Sequence, residues 1–165
     1  MANLSETAPF ITFLSVIIIP GLFLVAGFYD VLTTRIPDWI SLAIIVTFVL
    51  FAWLSGMSAY AIMIHGGVGI LAFLIGFLLF AMGWVGGGDG KLAAAGALWF
   101  GAEKALLFIS LSFIYGAILV GIIMILRIRF LSDKIKHWAW LNPWLRGQEG
   151  LPFGLAMAAS VLSMS

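Results

Sequence analysis

From Pro9 to Tyr29 the chain carries no charged side chain, and comparable apolar runs recur from Trp39 to Leu54, from Ala59 to Val85 and from Ala105 to Leu126. A helix needs about 20 mostly apolar residues to cross the hydrocarbon core of a bilayer. In lipid, only helices and closed barrels satisfy every backbone N–H and C=O. Repeated runs of helix length therefore predict an all-α fold, a polytopic transmembrane bundle. Composition points the same way, with 64% apolar and 9% charged residues, where a soluble domain has roughly 45–50% and 25%. Too little polar surface exists to coat a globule in water, which excludes a soluble domain, a disordered tail and a nucleic-acid binder. The net charge of +1 supplies no long-range field, and the absence of cysteine excludes a disulfide, a thiol nucleophile and Cys-ligated zinc.

About six spans are expected in a single transmembrane domain over 1–165: 9–29, 39–54, 59–85, a short one at 92–102, 105–126 and 151–165, with a basic loop at 127–150. Pro20, near the middle of the first, is expected to kink it or free a carbonyl. Ser55 to Ser58 reads as a short turn. With the N-terminus outside, Arg35, Lys91 and the basic residues between Arg127 and Arg146 face the cytoplasm, and only Lys104 lies outside. That distribution obeys the positive-inside rule. The 128–144 segment reads as a surface-lying amphipathic stretch with tryptophans at headgroup depth.

Reactive groups are few. His65 and His137 fall toward opposite faces on this topology, so no metal site is expected, and His65 reads as a packed residue. Carboxylates remain. Asp30 ends the first span, where the negative end of the helix dipole and low-dielectric surroundings disfavour its ionised form. Asp38, after Pro37, reads as a structural cap of the second helix. Asp89 sits in Gly86-Gly87-Gly88-Asp89-Gly90. On its own it reads as a helix cap; the spacing lacks the phosphate-loop pattern, and an aspartate repels an anion. The chain crosses the membrane out and back between Asp30 and Asp89, so both return to one face at similar depth. Two carboxylates in a partly dry site share a proton. One then activates water while the other hydrogen-bonds a scissile carbonyl, the requirement for aspartic hydrolysis. Paired intramembrane acids also suit a proton-coupled transporter or channel subunit, and a non-enzymatic secretion scaffold with capping aspartates is a third reading.

At these residues the sequence resembles the type IV prepilin peptidases, membrane aspartyl proteases marked by a GxGD motif. Gly86-Gly87-Gly88-Asp89-Gly90-Lys91-Leu92 carries that motif, and Asp30 followed by Ile36-Pro37-Asp38 is similar to the family's first aspartate motif. Leu151-Pro152-Phe153-Gly154-Leu155-Ala156 looks like its proline segment near the end. The resemblance implies that Asp30 and Asp89 form the catalytic pair. It makes Gly86, Gly88, Gly90, Lys91, Pro37, Pro152 and Gly154 motif or cleft residues. The Gly86–Gly90 loop is expected to give room for an extended peptide. The small size suggests the short form that serves tight-adherence (Flp) pili. The implied partners are a membrane-inserted prepilin and the lipid bilayer, with no nucleic acid and no cofactor. Methyltransferase activity and S-adenosylmethionine use are not expected. The implied location is the inner membrane, with the active site toward the cytoplasm. Archaeal-type preflagellin peptidases and signal-peptide-peptidase relatives stay open as neighbouring readings.

Overall fold

The structure, a computed structural model, describes the backbone over 4–129 and 153–164 and side chains over 8–125 and 153–164. Every element among these residues is helical: α1 (Leu4–Phe13), α2 (Ile19–Thr33), α3 (Asp38–Leu54), α4 (Ala59–Ala81), α5 (Gly87–Arg129) and α6 (Phe153–Met164). Three segments are long and apolar enough to cross a membrane, Ala8–Thr33, Ala59–Ala81 and Gly87–Ile125, while α3 and α6 are shorter apolar helices. The protein is thus an all-α, membrane-type bundle. Most of the 128–144 segment, with His137 and Pro152, lies outside the described residues.

Pro20 follows a change of helix type. Between α1 and α2 the helix widens into a π turn, Leu14–Ile18, and Pro20 enters in the first turn of α2. The Ile19 amide reaches back five residues to the Leu14 carbonyl. Widening one turn absorbs the backbone donor that proline lacks.

Gly101 does what no other residue in α5 can. Its φ of 63° and ψ of −172° break the helix into two arms, 87–100 and 102–129. That backbone region is essentially restricted to glycine, and a Cβ there would also collide with the His65 ring. The arms fold back on each other: a Cβ at Gly96 would come within 2.6 Å of Phe108, and the Phe100 and Phe108 rings sit 5.1 Å apart. The expected short fourth and fifth spans are these arms, joined with almost no loop. The break frees the Leu98 carbonyl, which accepts the Nδ1–H of His65 at 2.8 Å. A carbonyl only accepts, so Nδ1 carries the proton. His65, stacked on Phe48 at 5.2 Å, is therefore a packed residue that closes the first arm.

The core joins α2, α3, both arms and α6 through Phe23, Ile36, Ile40, Ile44, Leu92, Phe108, Met157 and Val161. Helix α6 is short but wedged in. Gly27 lies against the Leu155 backbone, Gly116 against Phe153, and Ser112 and Ser160 share a buried hydrogen bond of 2.9 Å. Helix α4 stands apart. Its buried residues are Gly69 and Gly76, which rest on Leu98 and on the Gly90 backbone respectively. The pairings 69–98 and 76–90 run α4 antiparallel to the first arm. Most other α4 side chains are exposed and apolar, including Ile70, Leu74, Phe77 and Leu78. In a bilayer such a face meets lipid tails, which are as apolar as the side chains.

Candidate active site

The last turn of α2 presents Asp30, which is 5% exposed. The helix stops just beyond: Thr34 takes a left-handed conformation, and its amide closes on the Asp30 carbonyl at 2.9 Å. The Asp30 carboxylate is held from across the fold. Its Oδ2 accepts the Gly154 N–H at 2.7 Å. Gly154 lies in the first turn of α6, where backbone donors have no partner within their own helix. Asp30 thus caps a helix that begins more than a hundred residues later. A Cβ at Gly154 would sit 3.0 Å from this carboxylate and 3.0 Å from Ile36 Cδ1, so that approach needs glycine.

Asp89 comes from the opposite wall. The expectation of a Gly86–Gly90 loop is corrected here, because α5 starts at Gly87 and puts Asp89 in its first turn. The turn left for the chain is Met82 to Gly86, entered through Gly83 at a φ of 74°. The helix can begin this early because Gly90 packs on Gly76 and Gly88 packs on Ile36, where side chains would clash. The Asp89 carboxylate reaches back toward the Gly86 amide, as in a capping box. Its Oδ1 is buried and has no hydrogen-bond partner among the described residues.

Asp30 and Asp89 line one cavity of about 690 Å³ and lie close enough for their charges to interact. Its walls are Ala72, Ile75, Gly76 and Leu79 of α4, Asp89, Gly90 and Ala93 of the first arm, Phe108, Ile109, Ser112 and Phe113 of the second, and Phe153 and Met157 of α6. No Lys or Arg is among the described lining residues. Among the described residues the arrangement puts two acids at one largely apolar cavity.

The other motif residues divide. Gly86 and Gly90 line the cavity; Gly88 supports it from behind against Ile36. Lys91 points away into a second groove of about 470 Å³, between α3 and α4, and pairs with Asp38 at 2.7 Å. Asp38 is the first residue of α3, with Pro37 in the capping position and no side-chain cap hydrogen bond. Its carboxylate therefore serves the ion pair with Lys91 rather than the capping bond expected. Pro37 starts α3 and does not line the cavity. Gly154 acts through its amide on Asp30, and Pro152 is outside the described residues.

Sequence reasoning named Ile36 only as part of the first aspartate motif and missed that Gly88 and Gly154 both rest on it. It also missed the α4 face Ala72, Ile75 and Leu79, which share one side at i, i+3, i+7 spacing but do not stand out in a helix that is apolar all round. Among the described residues no group of His, Asp or Glu could hold a metal ion.

Neither the curated proteins nor the solved structures give a match to this chain. Residues 17–121, more than half of the chain and including Asp30, Asp38, Asp89 and Lys91, match the type IV leader peptidase family. With both acids inside the matched segment and brought to a single cavity, the chain belongs to the type IV leader peptidase family.

Proposed function

We propose that this protein is an aspartic endopeptidase of the membrane that removes the leader of Flp-type prepilins, with Asp30 and Asp89 as its catalytic pair. The observation that supports the reading is the cavity bounded by both carboxylates, whose lining among the described residues includes no Lys or Arg. One carboxylate, ionised, takes a proton from water as the water attacks the scissile carbonyl. The other, protonated, donates to the carbonyl oxygen as it gains negative charge, and the proton then passes to the leaving amine. The Gly154 amide fixes Asp30 so that attack needs little rearrangement. A low-dielectric wall of Phe108, Ile109 and Phe113 strengthens both interactions.

The chain crosses the membrane about six times with its N-terminus outside, the arms of α5 counting as two crossings. The excess of basic residues on the side of Arg35 and Lys91 supports that orientation, which turns the cavity toward the cytoplasm. Cleavage needs no cofactor, and the protein does not methylate its product.

The test uses the purified protein in liposomes with a Flp-type prepilin in water enriched in 18O. The expected result is one new amino end and one 18O in the new carboxyl group of the leader. Proton flux through peptide-free liposomes, with no cleavage of added prepilin, would favour a transporter and overturn the peptidase reading.

A further inference from the structure

We infer that the apolar groove between α4 and the second arm of α5 is the docking surface for the apolar segment that follows the scissile bond, which enters sideways from the lipid as a helix. This inference rests on the peptidase reading and adds the side of the molecule that the substrate uses. Helix α4 is a ridge with a groove on each flank. Its residues 72, 75, 76 and 79 face the cavity of the two acids, while 66, 69, 70 and 73 face the groove of Asp38 and Lys91. Gly69 and Gly76 lie on the line between them and carry its packing on the first arm.

Three observations select the flank. The cavity holding Asp30 and Asp89 is also lined by Ile75 of α4 and by Ile109 and Phe113 of the second arm. Both sides are half open to the bilayer, with Ile75 53% and Phe113 55% exposed, so a helix seated there buries apolar surface on two walls while its end meets the carboxyls. The polar end of the opposite groove is already spanned by the 2.7 Å Asp38–Lys91 pair, and the first arm of α5 separates that groove from Asp30. Neither Asp30 nor Asp89 is among the described residues that line it.

The experiment places the photo-reactive residue benzoyl-phenylalanine at Ile75, Phe113, Leu42 or Phe73, one at a time, in the full-length protein carrying Asp89→Asn, co-expressed with a Flp-type prepilin. Adducts at positions 75 and 113 should exceed those at 42 and 73 by at least tenfold. Equal yields, the reverse order or no adducts at any position would overturn the inference. In kinetic work on the otherwise native protein, Ala72→Trp should raise KM for prepilin about tenfold with kcat changed less than threefold, and Leu42→Trp should move neither more than twofold. An unchanged KM in Ala72→Trp counts against the groove. Cleavage of the same prepilin by the unsubstituted protein scores the peptidase reading separately. Cleavage with adducts only at positions 42 or 73 keeps the peptidase and removes this docking surface, whereas no cleavage removes the peptidase itself.

Discussion

The two grooves beside α4 are built from the same first arm of α5 and hold their acids in opposite ways. On one flank Asp38 faces Lys91 and is neutralised by it; both side chains are well exposed to solvent. On the other flank, two steps back along the arm, Asp89 shares a cavity with Asp30, and no Lys or Arg is among its described lining residues. An exposed ion pair contributes about 0.2–1 kcal/mol and is screened by salt. Two unpaired acids against an apolar wall cost stability and are kept where chemistry uses them. Asp89 and Lys91 belong to one sequence motif, yet the two-residue step between them, about half a turn of helix, directs them to different grooves. Asp89 faces the cavity of the proposed reaction, and Lys91 ties the start of α3 to the start of α5.

If that contrast is the source of activity, supplying the first groove with what the second has should destroy it. Thr34 lines the cavity beside Asp30. Thr34→Lys brings an ammonium to the acids, holds both ionised and leaves no proton to donate; cleavage of prepilin should fall about 10²-fold or more, within the range for removing one acid–base partner. Gly101→Ala comes next, read by thermal unfolding in detergent. It forces a side chain into a glycine-only conformation against His65, at a cost of about 1–3 kcal/mol from backbone strain before any clash. Phe108→Ala sharpens the contrast from the packing side. Phe108 is fully buried, underlies the first groove and touches Phe23 at 5.7 Å, so its loss should cost about 3–5 kcal/mol and leave the Asp38–Lys91 groove intact.

Cleavage by the native protein should follow a bell-shaped pH profile. On the acid side both carboxyls are protonated and no base remains; on the alkaline side both are ionised and no acid remains. Lys91→Met should leave the shape of that profile unmoved and lower activity by less than about threefold, the smallest effect of the series. A stronger loss in Lys91→Met would place the second groove inside the reaction.

Much of this was legible in the residues. The uncharged runs located the helices, and the two aspartates emerged because charge is so scarce that every carboxylate in a 9%-charged chain must be accounted for. The start of α5 was not legible. A run of glycines reads locally as loop, and only the distant contacts of Gly90 with Gly76 and of Gly88 with Ile36 turn it into helix. The reversal between the short fourth and the fifth span was legible, but not its tightness, which rests on Gly101 at a φ of 63° with the His65 ring where a Cβ would be. The α4 face was obscured by the solvent itself. In water, a buried face stands out by apolar residues; in lipid both faces are apolar, so Ile75 toward the cavity and Phe77 toward the lipid look alike. Asp38 was misread as a cap because a sequence-local role competes with a partner 53 positions away.

The most direct test of the account is leader removal from a co-expressed prepilin by the native protein and by Asp30→Asn, Asp89→Asn and Asp38→Asn, each checked for membrane insertion. The account predicts that the first two substitutions each abolish cleavage, by at least about 10³-fold, while Asp38→Asn keeps a substantial part of it. Normal cleavage by either Asp30→Asn or Asp89→Asn would contradict it.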